Sequence, residues 1–256
     1  RIMKVVCLGA GNVATHLIKG LYNKSFDIVQ VYSRTVESAS VLAKEVHAVP
    51  VTDLKDIIDD ADLYIFALKD SVLEGVAAQI PSNNGLWIHT AGSVPMDVFS
   101  NYTVHYGVLY PFQTFSKARD INWKEVPVFT EGSDTASHNK INAIAQQLSP
   151  KVFDLTSEKR QYLHLTGVFA CNFTNYMYAL SELFLRKAGV PFEMALPLID
   201  ETAAKVHTLT PEEAQTGPAV RYDEKIIDKH LHLIEDEDIK LLYKLISENI
   251  HKINKQ

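Results

Sequence analysis

The sequence predicts an α/β fold in which a doubly wound, mainly parallel sheet is followed by an all-helical second domain. Two observations predict this class. Short apolar runs alternate with amphipathic helices as far as Asp154, and beyond Asp154 only helix signals remain. The chain of 256 residues is long enough for two domains. The predicted domains are therefore residues 1–154 and 155–256.

The first strand signal is the apolar run 4–8, which leads directly into a glycine turn and a helix with an apolar stripe. In this turn Gly9 allows a sharp change of direction, Gly11 lets a pyrophosphate approach the backbone, and small Ala14 permits close packing of the helix on the strand. This pattern is the dinucleotide-binding turn of a Rossmann domain. The residues expected to contact the dinucleotide are Gly9, Gly11, Asn12 and Val13.

The second strand signal, Phe26–Tyr32, ends in Ser33-Arg34-Thr35, a position that selects the cofactor. An acidic residue here would bind the ribose hydroxyls of NAD, but none is present. Arg34 can instead bind the additional phosphate of NADP, assisted by the hydroxyls of Ser33 and Thr35. The sequence therefore predicts NADP. The alternative is that Ser33 and Thr35 only cap the next helix and Arg34 is solvated.

The remaining elements of the first domain follow from the same periodicities. Strand signals lie at Val46–Val51, Leu63–Ala67, Gly85–Ile88, Thr103–Leu109 and Val126–Phe129. Amphipathic helices alternate with them at Val36–Lys44, Ser71–Gln79 and Asp134–Leu148. Ligands of doubly wound sheets bind beyond the carboxyl ends of the strands, so the loops that follow these strands are the candidate site.

Three of these loops carry candidate residues. Leu68 and Lys69 are expected beside the cofactor, with a solvated lysine as the alternative. The small residues after His89 would let a nicotinamide ring approach near Thr90, while His89 is either a proton donor or a hydrogen-bonded structural group. The third loop offers two polar substrate contacts, although a buried hydrophobic loop is the alternative there. These contacts are Gln113 and Thr114.

The second domain begins with a helix capped by Thr156 or Ser157. Its segment 163–185 is apolar nearly all round, which predicts a buried helix. With regular helical geometry, His164 and Asn172 are about 12 Å apart along the axis and do not contact the same reacting atom. His164 is the first candidate for proton transfer. Asn172 either lines the cleft or is a buried amide that joins helices.

Regular geometry also places His164, Val168, Cys171 and Asn175 on one stripe of that helix. Farther along, Arg221 and Asp223 suit either an anionic substrate group or a structural ion pair. The spacing of His230 and His232 argues against a metal site, and none is predicted. The last helix, from Asp236 to about Asn254, has an apolar stripe typical of a core or dimer contact, and we expect a homodimer.

Composition excludes several classes of function. The net charge of −6 and the absence of a basic patch argue against nucleic-acid and membrane-surface binding. No apolar run is long enough to span a membrane. The two cysteines, Cys7 and Cys171, are interpreted as free thiols, which fits a reducing cytoplasm.

Six motifs in both domains carry a family resemblance: 9–14, 33–35, 89–93, 111–115, 164–172 and 216–223. Through them the chain resembles NADP-dependent oxidoreductases with a Rossmann-like N-terminal domain and a C-terminal helical domain of unknown function. These are related to 6-phosphogluconate dehydrogenase and pyrroline-5-carboxylate reductase. The resemblance implies the same two-domain fold and NADP as cofactor, but no particular substrate.

The chain departs from this pattern in two places. The relatives that act on sugar acids carry an acid/base lysine four residues from an asparagine on the first helix of the second domain, and this chain has no such lysine. His164 and then His89 are the remaining candidates for proton transfer. The second departure is Tyr110, which stands where relatives are expected to carry histidine.

Together these features predict an NADP-dependent reductase or dehydrogenase. It would transfer hydride between the nicotinamide and a small carbonyl, imine or alcohol substrate in the cleft between the domains. The first alternative is an NADP-binding sensor that keeps the fold without turnover. The second is hydride exchange with a deazaflavin.

Overall fold

The computed structural model describes residues 1–255. Contacts divide the chain into two compact units, Arg1–Met177 and a second unit that begins at Tyr178. The first unit contains the whole sheet and also the first helix after it. It therefore extends beyond residue 154, and the predicted domain boundary there stays a prediction.

The sheet has eight strands in the order β3-β2-β1-β4-β5-β6-β7-β8. All neighbouring pairs are parallel except β6 and β7, so the predicted doubly wound, mainly parallel sheet is confirmed. The strands are β1 (Lys4–Leu8), β2 (Asp27–Tyr32), β3 (Val49–Val51), β4 (Leu63–Phe66), β5 (Leu86–His89), β6 (Tyr106–Pro111), β7 (Val128–Gly132) and β8 (Val152–Asp154). Strand β6 begins later than predicted because its pairing with β5 starts at Tyr106, opposite Trp87.

The register of the central strands brings their carboxyl ends to one edge of the sheet. Leu8 of β1 pairs with Tyr32 of β2 and with Phe66 of β4, and Phe66 pairs in turn with His89 of β5. The chain order reverses between β1 and β4. The loops after these strands therefore meet at the topological switch point, where doubly wound folds bind ligands.

Four helices of the first unit alternate with the strands: α1 (Asn12–Tyr22), α2 (Val36–Glu45), α3 (Asp70–Ala77) and α4 (Thr135–Leu148). The sheet has one apolar cluster on each face. Val5 and Cys7 belong to one cluster, and Val6 and Leu8 belong to the other. This alternation follows from the two-residue period of a strand and leaves β1 buried on both faces.

Helices make up the rest of the chain. They are α5 (Ser157–Gly167), a π-helical segment (Val168–Phe173), α6 (Thr174–Ala188), α7 (Leu196–Lys205), α8 (Pro211–Ala214), α9 (Pro218–Arg221), α10 (Glu224–Leu233) and α11 (Glu237–Ile253). The hydroxyl of Thr156 accepts a hydrogen bond from the Lys159 amide and caps α5, as predicted. None of the helices in residues 1–255 is long and apolar enough to cross a membrane.

The expectation that the helix over 163–185 is buried is wrong. Arg160 is the one buried side chain of α5, and α6 has none. Tyr162 and Phe169 are 72% and 61% exposed. The large apolar side chains that share this exposure are Tyr162, Leu165, Phe169, Phe173 and Tyr176.

Helix α5 is attached to the sheet by the guanidinium of Arg160, whose side chain is only 1% exposed. Its Nη1 lies 2.9 Å from Oε2 of Glu131 at the end of β7, and its Nε donates to the Ala91 carbonyl at 3.2 Å. Its Nη2 donates to the carbonyl of Val94. The same Glu131 oxygen accepts a 2.6 Å hydrogen bond from the Ser157 hydroxyl, so the half-buried carboxylate is well satisfied.

We expect Arg160→Ala to lower the free energy of unfolding by about 3 kcal/mol or more, because it leaves the Glu131 carboxylate without its buried partner. Urea denaturation followed by circular dichroism measures this loss. The control is Lys151→Ala, which removes an exposed ion pair with Glu125 and is expected to cost less than about 1 kcal/mol. Equal, small losses in the two variants would contradict a supporting role for Arg160.

Candidate functional site

Gly9, the first residue of the turn after β1, is required by contacts within the protein itself. Gly9 has a φ of +120°, and a Cβ there would collide with the carbonyl oxygen of Ala67 at the end of β4. Its amide donates to the Tyr32 carbonyl at 2.9 Å. Gly9 therefore joins the ends of β1, β2 and β4 at one point.

Gly11 differs from Gly9, because no neighbouring protein atom requires a glycine at this position. A Cβ at Gly11 would meet nothing within 4 Å. The residue occupies the N-cap of α1 without a side-chain cap, and the first turn of α1 contains no acidic residue. The first amides of α1 therefore face open space with the positive end of the helix dipole uncompensated, and Asn12 beside them is exposed. This cradle fits a pyrophosphate group.

The end of β2 presents one unpaired cation. Arg34 is exposed, and within residues 1–255 it forms no ion pair. The hydroxyl of Thr35 caps α2 by accepting from the Ser38 amide at 3.3 Å, while the Ser33 amide donates to the Val51 carbonyl. Thr35 therefore caps α2, as the alternative interpretation expected, and Arg34 is the side chain that remains available for an anion.

Leu68 and Lys69, which follow β4, have different surroundings. Leu68 is partly buried and packs against the apolar cluster that includes Val6 and Leu8. Lys69 is exposed at the N-cap position of α3. A contact of either residue with a cofactor stays a prediction.

His89, at the end of β5, has both ring nitrogens engaged. Nδ1 accepts a hydrogen bond from the Ala91 amide at 3.1 Å, so Nε2 carries the proton and donates it to the Pro95 carbonyl at 3.2 Å. Burial lowers the pKa of His89 to about 4. These bonds favour the structural alternative for His89, and the half-buried Thr90 follows it.

His164 is held in a different setting, in the last turn of α5. Its Nδ1 lies 3.3 Å from the hydroxyl oxygen of Tyr110, which is near the end of β6. Its ring also lies against Gly92, where a Cβ would be 2.5 Å from Nδ1. The absence of a side chain at Gly92 therefore makes room for the imidazole, and the structure gives that glycine a steric role.

These elements enclose a cavity of about 390 Å³ at the carboxyl edge of the sheet. It brings together six of the predicted site residues from four separate segments of the chain: Asn12, Val13, Gln113, Thr114, His164 and Asn172. Aromatic side chains form much of the remaining wall: Tyr110, Phe112 and Phe115. Among the described residues that line this cavity, none is Asp, Glu, Lys or Arg.

The π-helical segment determines which asparagine side chain lines the cavity, Asn172 or Asn175. The Thr174 hydroxyl donates to the carbonyl of Phe169, five residues earlier, at the point where α6 begins. This wider turn changes the regular helical angle, so Asn172 lines the cavity together with His164, whereas Asn175 of the predicted stripe does not. Asn172 itself is exposed and is not a buried amide joining helices.

Neither a second hollow nor Arg221 contributes to the lining of this cavity. A larger hollow of about 600 Å³ contains Asp59, Asp60 and Asp62, but it is at the amino edge of the sheet, where such folds do not bind their ligands. Arg221 belongs to the second compact unit. Asp223 caps α10, and no ion pair joins it to Arg221 within residues 1–255, so a substrate role for Arg221 stays a prediction.

Sequence reasoning gave no site role to three residues of this region. Tyr110 was named only as a departure from the family pattern, although it stands at a strand end on the carboxyl edge. Arg160 lies four residues before His164, one helical turn away, but its partners are distant in sequence. Gly92 belonged to a recognised motif, but its contact with His164 depends on the packing of α5.

A Rossmann sheet with an open glycine turn and a cavity at its carboxyl edge is typical of dinucleotide-binding proteins. Residues 4–89 match a family described as NADP oxidoreductase, coenzyme F420-dependent, and residues 126–250 match a domain of unknown function. A crystal structure from Bacteroides fragilis, of a protein described as a "putative NADP oxidoreductase", is 51% identical over 98% of both chains, with a TM-score of 0.92. The chain belongs to the same family of NADP oxidoreductases as that protein.

More distant structures share only the fold. A reductive aminase from Aspergillus terreus, solved with NADPH and ethyl levulinate, is 16% identical, with a TM-score of 0.65, and covers 98% of this chain and 95% of its own. A 1-pyrroline-5-carboxylate reductase from Streptococcus pyogenes is 15% identical, with a TM-score of 0.61, over 98% and 99% of the two chains. No curated protein matches this sequence.

Below pH 6.5 we expect His89 to destabilise the fold. Above that pH the His89 imidazole is neutral in both the native and the unfolded protein. Between pH 6.5 and about 4 it binds a proton in the unfolded chain but not in the native state, where its pKa is lowered. The free energy of unfolding should fall by about 3 kcal/mol as the pH drops across this range. Urea denaturation at several pH values measures it, as the difference between wild type and His89→Gln.

The matched control is His207→Gln, which changes an exposed histidine and is expected to keep the wild-type pH dependence. A His89→Gln protein that loses stability with acid as steeply as wild type would show that His89 is protonated normally in the native state.

Proposed function

We propose that the protein is an NADP-dependent oxidoreductase that transfers hydride between the nicotinamide and a small carbonyl, imine or alcohol substrate. The observation that carries this proposal is the cavity that joins the start of α1, at Asn12 and Val13, to the polar side chains of His164 and Asn172. A dinucleotide on the glycine turn and a substrate in this cavity would be neighbours. Membership of the oxidoreductase family supports the same conclusion.

The residues that would hold NADP are the open amides at Gly11 and the free guanidinium of Arg34. The amides suit the pyrophosphate, and the guanidinium suits the phosphate that distinguishes NADP from NAD. We propose Ser33 and Thr35, which flank Arg34 in the chain, and Lys69, which follows β4, as further contacts. When bound, the nicotinamide supplies or accepts the hydride.

The chain's own groups would orient the substrate and move one proton. The aromatic wall of the cavity offers apolar contacts, while the side chains of Gln113, Thr114 and Asn172 offer hydrogen bonds to polar groups of the substrate. Histidine exchanges protons near neutral pH, and His164 is the group in this cavity suited to act as the acid. A lining without Asp, Glu, Lys or Arg favours an uncharged substrate.

We also infer a homodimer formed through the exposed apolar face of α5 and the π-helical segment. This face carries Tyr162, Phe169 and Phe173, all large and all exposed in the single chain. Contiguous apolar surface of this kind is typical of protein interfaces. A second copy of the chain is the partner we propose for it.

We expect the wild-type protein to bind NADPH more tightly than NADH, and Arg34→Asp to weaken NADPH binding by about tenfold or more. The substitution replaces the cation assigned to the phosphate with a carboxylate that repels it. Affinities for both cofactors are measured by titration of nicotinamide fluorescence.

The control for this experiment is Lys24→Asp, which changes the net charge equally at an exposed turn after α1. It should leave the preference unchanged. Equal affinities of wild type for NADPH and NADH would contradict the assignment of Arg34.

Turnover tests the enzyme proposal directly. In a panel of aldehydes, ketones and cyclic imines, we expect loss of NADPH absorbance with uncharged substrates, and at least about tenfold higher kcat/KM for 1-pyrroline than for 1-pyrroline-5-carboxylate. The reason is that the cavity lining contains no lysine or arginine to bind the carboxylate. Faster reduction of the carboxylated imine would instead support a substrate role for Arg221.

The His164→Ala variant separates catalysis from binding in the same assay. It should lower kcat by about a hundredfold, as for loss of a general acid, while NADPH affinity stays near wild type. Unchanged kcat would show that His164 is not the acid. A wild-type protein that binds NADPH but reduces nothing in the panel would favour the sensor alternative over an enzyme.

A further inference from the structure

The hydroxyl of Tyr110 is a polar group of the cavity wall that the proposed reaction does not use directly. Tyr110 is half-buried at the carboxyl edge of the sheet and lines the cavity. Its hydroxyl oxygen lies 3.3 Å from Nδ1 of His164, and the two ring centroids are 6.4 Å apart. The cavity therefore contains a tyrosine–histidine pair in hydrogen-bond contact.

The imidazole of His164 also lies against the loop that follows β5. Buried Gly92 lies against Nδ1 and Cγ of the ring, close enough that an added Cβ would be 2.5 and 2.7 Å from them. One turn earlier on α5, Arg160 bonds to the carbonyls of Ala91 and Val94, which flank Gly92 in the chain. Nδ1 is thus the ring nitrogen that contacts the protein, and Nε2 is the ring nitrogen available to a ligand.

We propose that Tyr110 is a positioning residue that holds the Nδ1–H of His164, so that Nε2 is the atom that gives its proton to the substrate. This inference rests on the proposed function, because it assigns the acid of that reaction. It also assigns a function to the tyrosine that stands where relatives are expected to carry histidine.

The proton balance determines the direction of the hydrogen bond. A protonated imidazole carries hydrogen on both nitrogens, so Nδ1–H donates to the Tyr110 oxygen and Nε2–H faces the substrate. As hydride adds to the substrate carbon, the π electron pair moves to its oxygen or nitrogen, which takes the Nε2 proton. The N–H electron pair stays on Nε2, and the neutral ring keeps its remaining proton on Nδ1. Solvent then restores the proton on Nε2.

Tyr110 is suited to accept this bond in both states of the ring. Burial raises the pKa of the Tyr110 hydroxyl, and the positive charge of Arg160 offsets that effect only in part. The phenol therefore stays neutral, and its oxygen accepts from Nδ1 without taking the proton. A fixed hydrogen bond on the second nitrogen selects the tautomer and orientation of the ring.

The tautomer can be measured without substrate or cofactor. In ¹⁵N NMR of the full-length protein, at a pH where the ring is neutral, we expect His164 to carry its proton on Nδ1. In Tyr110→Phe the signal should shift to the Nε2–H form that isolated imidazoles prefer. Tyr162→Phe is the control, since Tyr162 lies two residues from His164 but is 72% exposed, and it should keep the wild-type signal.

Kinetics supply the second measurement. Tyr110→Phe should lower kcat by about tenfold or more, with KM changed less than about twofold, because the acid is misplaced and not removed. Gly92→Ala is expected to reproduce the tautomer change with the phenol intact, since its Cβ displaces the ring from Tyr110.

The outcomes distinguish this proposal from the proposed function. An Nε2–H ring in wild type, or a wild-type tautomer in Tyr110→Phe, overturns the role of Tyr110 whatever the enzyme reduces. A tautomer that depends on Tyr110 in a protein that reduces no substrate supports the hydrogen bond and overturns the proposed function. A wild-type kcat in Tyr110→Phe, in an active enzyme, overturns the positioning role.

Discussion

The candidate site depends on one buried ion pair, between Arg160 and Glu131. The guanidinium donates to the carboxylate and to two backbone carbonyls, so it connects α5 with the end of β7 and with the loop after β5. Burying an ion pair costs solvation energy, and the cost is recovered only when the geometry is good and the other polar atoms are satisfied. Here Ser157 completes the bonding of the carboxylate. With α5 fixed at Arg160, His164 one turn later is fixed over Gly92.

The two glycines of the nucleotide turn illustrate different physical constraints. Gly9 is required by the fold itself, because its positive φ and its contact with Ala67 exclude any side chain. Gly11 has no such requirement, since the space around it is open. A glycine that the protein does not need conformationally is better evidence of a ligand than one that it does. Gly11 and the uncapped start of α1 therefore support a bound pyrophosphate more strongly than Gly9 does.

Most of the sheet and half of the site could be predicted because their signals are local. Strand periodicity located β1 and β4, and the rule about carboxyl ends identified Gln113 and Thr114 from the sequence alone. The π-helical segment could not be predicted, since nothing in the composition of 168–173 distinguishes five-residue from four-residue hydrogen bonding. The partners of Arg160 could not be predicted either, because each lies at least 29 residues away in the sequence.

The two histidines of the site explain why residue type alone does not assign a catalytic role. Both were candidates for the same proton. His89 is buried, with each nitrogen bonded to the backbone, so its ring has no proton to exchange with a ligand. His164 has one nitrogen in contact with Tyr110 and lines a cavity with the rest of its ring. The two histidines differ in how many ring nitrogens bond to other protein groups. Tertiary packing alone determines that number. A histidine with one nitrogen held and one free is oriented for proton transfer, and α5 provides that arrangement because Arg160 fixes its first turns.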